Sequence, residues 1–232
     1  MQYHRTVFSA KMLKKNIITV LLLLFWAKSQ AQADNSVFQF LKLPISSHAT
    51  ALGGENISII EDDLTMATNN PALLSCVADK TLNLNYMLYI EGTNVASAAF
   101  SHIAGERSTW AVTAQYVNYG SMKETTPENI VTGTFSAKDM AFSGIYSYDF
   151  SDYWSGGVKT NLIYSNYDKF SSFAIGVDLG LNYYHQDKDF SFSLVARNLG
   201  GQIVAFEDKH EKLPIDVQVG ITKRLSHAPF RI

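Results

Sequence analysis

A single cysteine, Cys76, stands in a chain of 232 residues. No internal disulfide can brace the fold, and the residue reads as a small buried apolar group. Past roughly the first thirty residues there is no apolar run long enough for a transmembrane helix. Beyond Thr81 helix-period patterning is missing too. Catalytic constellations are equally scarce. His4 precedes the apolar N-terminal run, and His48, His102, His185, His210 and His227 are scattered without ligand spacing. There is no His-Glu-x-x-His pair, no Gly-x-Ser-x-Gly elbow and no phosphate loop. Glu61-Asp62-Asp63 lacks the alternating oxygen ligands of a calcium loop and reads as a helix start or solvated turn. These absences point away from an enzyme and from a bound metal or cofactor.

What is present begins with an export signal. Lys11, Lys14 and Lys15 precede the apolar run Ile17–Ala27, and Ser29-Gln30-Ala31 follows with small residues. A basic region, a short apolar region and such a site make a secretory signal peptide, assigned to residues 1–31. It holds five basic residues (Arg5, Lys11, Lys14, Lys15, Lys28) and no acidic ones. The mature chain therefore carries 19 − 5 = 14 basic against 21 acidic residues, a net charge of −7. An acidic surface is a poor partner for nucleic acid. Cys76 is far from the cleavage site, so a lipid anchor on a mature N-terminal cysteine is not indicated. Mean hydropathy is −0.02, ordinary for a globular protein. Membrane barrels share that average, because half of each strand faces a polar lumen.

Residues 32–80 read as a compact lead-in of turns and short helices. Ser46–Leu52 suits a short helix stopped by Gly53-Gly54, and Asp62 and Asp63 sit where the next helix start favours acid. Asn69-Asn70-Pro71 is a turn, proline pushing Asn70 into an extended conformation.

From Thr81 the period is two. The strands expected are Leu82–Ile90, Val95–Ile103, Arg107–Val117, Lys138–Phe150, Tyr153–Ser165, Phe173–Tyr184, Asp189–Asn198 and Pro214–Leu225, a strongly antiparallel meander. In Phe173–Tyr184 the odd positions through Tyr183 are apolar, whereas Ala174, Gly176, Asp178, Gly180 and Asn182 are small or polar. That segment would extend roughly 40 Å, long for a globular strand and suited to crossing a hydrocarbon layer about 30 Å thick. Asp178, Asn182 and Arg197 fall on the small, polar face, with Asp178 and Arg197 on neighbouring strands placed to pair. Both long connections expected, Asn118–Ala137 and Leu199–Leu213, lie on the same edge of the meander. One-sided long loops are a trait of outer-membrane barrels. Aromatics gather at both strand ends: Phe150, Tyr153, Trp154, Tyr183, Tyr184 and Phe190 at one edge, Tyr164, Tyr167 and Phe170 at the other. Such rings resemble interfacial girdles, or reflect β-propensity alone.

Several stretches, in order, are similar to one family. They are Leu43–Gly54, Glu61-Asp62-Asp63, Asn69–Leu74, Gly133–Asp139, Gly176–Gly180, Ala196–Gly200 and Leu213–Gly220. Together they resemble the PorV/PorQ barrels of the type IX secretion system of the Bacteroidetes, a group related to the FadL-type outer-membrane transporters. The resemblance covers essentially the whole mature chain. It implies an all-β antiparallel transmembrane barrel of about fourteen strands, with the N-terminal segment folded into the lumen as a hatch. It also implies a cell outer-membrane location. The partners implied are outer-membrane lipid, other Por proteins and the exported cargo attached at the cell surface. Gly53, Gly54, Asp62, Asp63, Asn69, Asn70 and Pro71 would shape the hatch. Their plainer reading, a helix stop and rigid turns, is compatible with that. The sequence ends at Ala228-Pro-Phe-Arg-Ile232 where the family continues with further strands and a terminal aromatic. The expectation for residues 81–232 is therefore a partial barrel. Uptake of a hydrophobic small molecule by a FadL-like protein, and a soluble periplasmic β-domain, are the alternative readings.

Overall fold

The computed structural model describes residues 36–225 and Arg231. The expected signal, residues 1–31, lies outside the described residues. Eight strands form one antiparallel sheet in sequence order. They are β1 (Leu82–Leu88), β2 (Asn94–Ile103), β3 (Ser108–Thr125), β4 (Val131–Asp149), β5 (Trp154–Tyr167), β6 (Phe170–His185), β7 (Phe190–Val204) and β8 (Asp216–Lys223). Among the described residues the sheet is open, with β1 and β8 at its edges. No described helix is long and apolar enough to cross a membrane.

The period-two pattern sorts the side chains of these strands onto two faces. On the inner face Ser101, Asp139, Ser147, Ser165, Ala174 and Ser193 are fully buried. The outer face carries Leu84, Phe142, Tyr146, Leu179, Leu194 and Val217, all exposed, Leu84 at 70% and Val217 at 66%. The inner face thus mixes these groups with Val117, Ile163 and Val195, also fully buried, while many of the large apolar side chains stand on the outer face.

What covers the inner face is the N-terminal segment, residues 36–80. Its short α1 (Ser47–Ala51) starts where Ser46 Oγ accepts from Ala49 N at 3.0 Å, the expected kind of cap. Gly53 (φ 96°) and Gly54 (φ 95°) then reverse the chain in the left-handed region open to glycine. A 3-10 turn follows at Met66–Thr68 and a second at Pro71–Cys76. Two apolar clusters fix the segment to the sheet. Phe38 and Phe40 pack with Val95, Val117, Ile163 and Leu213 toward the loop end. Leu64, Ala67, Leu74 and Val77 pack with Ala99, Ala111 and Ile145 nearer the short turns.

The structure departs from the sequence reading at both expected long connections. Asn118–Ala137 is not a loop: β3 runs on to Thr125 and β4 begins at Val131, with Ser121–Glu124 paired to Ser136–Gly133. These residues extend past the ends of the neighbouring pairings, which stop at Asn94↔Asn118 and Ala137↔Tyr167. They form a two-stranded arm wet on both sides. With neither face buried, the alternation that marks a strand in sequence is lost. In the second region β7 continues to Val204, paired to Phe173, leaving a connection over residues 205–215. Parity also corrects one of the aromatic groups. Tyr164 and Phe170 are exposed, whereas Tyr167 follows inward-facing Ser165 by two residues and turns inside. At the other end Trp154 and Tyr183 lie 5.1 Å apart and Tyr153 and Tyr183 6.1 Å apart.

Candidate functional site

The seam between the N-terminal segment and the inner face gathers most of the residues singled out in sequence. At its centre is the Asn70-Pro71-Ala72 turn. Asn70 is extended (φ −138°, ψ 107°), as the following proline requires. It is fully buried and bonded twice: Nδ2 donates to Ile57 O at 2.7 Å, and Ala72 N donates to Oδ1 at 3.0 Å. Directly beneath lie Gly157 of β5 and Gly180 of β6, a paired position in the sheet. A Cβ on Gly157 would stand 2.3 Å from Pro71 C, and one on Gly180 would stand 2.2 Å from Asn70 Oδ1. The glycine pair is thus a seat cut to backbone depth. Ser155 Oγ donates to Ala72 O at 3.1 Å and Lys159 Nζ to Thr68 O at 3.1 Å, tying the turn to β5. Asn69 lines the small space beside it.

Asp178, Asn182 and Arg197 are all buried on the inner face. The pairing expected of Asp178 and Arg197 is not the one found. Asp178 sits opposite Lys159 in the β5–β6 register and 3.3 Å from its Nζ. Its carboxylate also accepts from Asn161 Nδ2 at 3.1 Å and from Asn198 N at 2.7 Å. The last bond explains the difference. A bulge between Val177 and Leu179 sets both Arg197 and Asn198 against Asp178, with Asn198 left-handed at φ 57°. Asp178 takes the N–H that the bulge removes from the ladder. Arg197 turns instead to Glu55 (2.6 Å) and Asp216 (2.8 Å), the latter its partner in register on β8. Asn182 Oδ1 accepts the hydroxyls of Ser191 and Ser193 at 2.9 and 2.8 Å.

The acidic stretch of the lead-in organises its own turns. Asp62 Oδ1 accepts from Ala78 N at 2.8 Å. Asp63 receives Thr65 N at 2.8 Å and Thr65 Oγ1 at 2.7 Å, and His48 Nδ1 lies 2.6 Å from its other oxygen. Partial burial alone would raise the Asp63 pKa. The bonds from His48 and Thr65 outweigh burial and hold it below the usual carboxylate range.

Sequence reasoning missed one buried carboxylate altogether. Asp139 of β4 is fully buried and accepts hydroxyls from Tyr119 (2.5 Å), Tyr167 (2.8 Å) and Ser165. Tyr119 lies at the foot of the arm. Tyr167 stacks on Phe206 of the β7–β8 connection at 5.1 Å, and Phe206 meets Phe38 at 6.0 Å. One carboxylate therefore joins the arm, the β5–β6 turn, the last connection and the N-terminal segment. The inward parity of Asp139, Ala141 and Ser143 was the available signal. Lys159 had one too: a tight turn at Asp168–Lys169 counts back from Tyr167↔Phe170 to Lys159↔Asp178.

Space in the seam is small. A polar cavity of about 30 Å³ lies among Thr68, Gln115, Lys159, Asn161, Asp178 and Arg197, room for a water or two. Larger clefts open at the sheet edges, about 390 Å³ beside Asn85 and Met87 of β1 and about 940 Å³ beside Gln218 and Thr222 of β8. Among the described residues no cluster of His, Cys, Asp and Glu is arranged to hold a metal. No family model matches the chain, and neither does any curated protein.

Proposed function

We propose that this chain forms the wall and hatch of an outer-membrane β-barrel that serves type IX protein secretion and surface attachment, and that it performs no catalysis. The observation that carries the reading is the contrast between the faces: large apolar side chains exposed outside, and Ser, Thr, Asn and Asp buried inside beside Val, Ile and Ala. Water penalises such an outer face, about 25 cal/mol for each Å² of apolar surface it must wet. Hydrocarbon welcomes it, and it satisfies no backbone group, so only strands already bonded to neighbours can lie there. β2 to β7 meet that condition along most of their length. The tyrosine and tryptophan group at Tyr153, Trp154 and Tyr183 suits the interfacial belt at one end. The assignment to secretion rests on the ordered family motifs.

The N-terminal segment is the hatch in this reading. It is bonded to the wall from end to end by Ser97 to Ile45 O, Lys159 to Thr68 O, Ser155 to Ala72 O and Ser58 to Thr222. The polar lining and 30 Å³ size of the space beneath it favour a structural hatch over a FadL-like route for a hydrophobic molecule. Two experiments test the proposal. Fractionation with a heat-modifiability gel should find the protein in the outer membrane, with folded and boiled forms migrating differently. A soluble protein without a mobility shift refutes the barrel. Deleting the gene should leave exported cargo unattached, and normal surface display refutes the secretion role.

A further inference from the structure

The outer face is not evenly covered. Where β2 and β3 run side by side, Ala98 pairs with Ala114, and Ala96 is the next outward residue along β2. In the same cross-strand rows the neighbours are bulky: Leu84 and Tyr86 on β1, Phe142 and Met140 on β4. The alanines floor a trough of about 500 Å³ walled by Tyr116, Met140 and Phe142, and extending toward Leu162 and Phe173.

We propose that this trough is a specific seat for one acyl chain of a membrane lipid. The inference rests on the lipid-facing reading of the outer face. No charged side chain lines the trough, so the occupant must be apolar. The strands beneath are paired on both sides, so they have no free backbone groups for an added peptide strand. Width excludes a helix. The alanine floor spans only β2 and β3, one strand spacing of about 5 Å, with Tyr116, Met140 and Phe142 standing beside it, narrower than the roughly 10–12 Å diameter of a helix with its side chains. A polymethylene chain fits between the ridges and replaces contacts that the alanines leave unmade.

The test uses the full protein in vesicles of phosphatidylethanolamine and phosphatidylglycerol containing a lipid with a diazirine in its acyl chain. Photolabelling should concentrate on Met140 and Phe142 over comparably exposed outer residues such as Leu179 and Leu194. Native mass spectrometry of protein released from the same vesicles should show one retained lipid. Ala114→Phe and Ala98→Leu, which fill the trough, should lower that retention at least tenfold, while Thr160→Leu elsewhere on the outer face should not. Even labelling over the whole face, or equal retention in all variants, overturns the seat while leaving the barrel standing. Protein that never enters the vesicles overturns the lipid-facing reading itself. Recovery of a bound partner protein that Ala114→Phe displaces, with no lipid retained, also overturns the acyl-chain assignment.

Discussion

Replacing Gly157 by alanine tests whether the seat under the Asn70-Pro71-Ala72 turn is as tight as it looks. The added Cβ would lie 2.3 Å from Pro71 C, 2.4 Å from its O and 2.6 Å from Ala72 N. All three are backbone atoms, so no side chain can swing aside. The turn would have to lift, carrying the buried Leu73 and Leu74 with it. Overpacking of this kind costs about 1–3 kcal/mol. Lifting Ala72 also stretches its bond from Ser155, worth about 1 kcal/mol. Against this, alanine restricts the unfolded chain and returns about 0.4–1 kcal/mol. The net expectation is a loss of about 1–4 kcal/mol, centred near 2. Gly144 is the matched control, because a Cβ there meets nothing within 4 Å. Gly144→Ala should be neutral or slightly stabilising. The assay is urea unfolding of the folded protein in detergent, followed by the mobility difference on unboiled gels, with limited proteolysis of residues 36–80 in parallel. The two substitutions should separate clearly, and Gly157→Ala alone should open the segment to protease. If both behave alike, the segment does not rest on β5. Gly180→Ala meets the same turn, so the double variant should cost less than the sum.

Other outcomes follow from the buried polar groups. Lys159→Met leaves the Asp178 carboxylate buried without its cation, at about 3–5 kcal/mol; adding Asp178→Asn should recover part of that loss, and an unfolding midpoint unchanged in Lys159→Met would refute the pairing. Asp139→Ala strands the hydroxyls of Tyr119, Tyr167 and Ser165, at about 1–3 kcal/mol for each donor left unsatisfied. Its signature is faster amide exchange at the foot of the β3–β4 arm, and exchange no faster than wild type would count against the junction. Asp63 has a lowered folded pKa, so its contribution is present above the unfolded value of about 3.9 and is lost as pH falls through the folded value. Proteolysis of residues 36–80 should therefore rise below that range, and in Asp63→Asn the acid step should shrink; an identical pH profile in the variant would remove Asp63 from the account.

Much of the architecture was legible from residues alone, and the reason is local. Alternation fixes which face a side chain takes, so the inward placement of Asp178, Asn182 and Arg197 needed only the parity of β6 and β7. Caps and turns are likewise local: Ser46 starts α1, Gly53-Gly54 ends it, and Pro71 extends Asn70. What depended on contact between distant segments was not legible. The arm over residues 119–136 hid its strands because no buried face imposed a pattern. The Asp178–Arg197 pairing failed because one bulged residue, Asn198, redirected both groups. Gly144 and Gly157 are the same letter in neighbouring strands, yet one faces open space and the other a proline backbone. A glycine records only that a side chain is missing; the tertiary structure decided what fills the place.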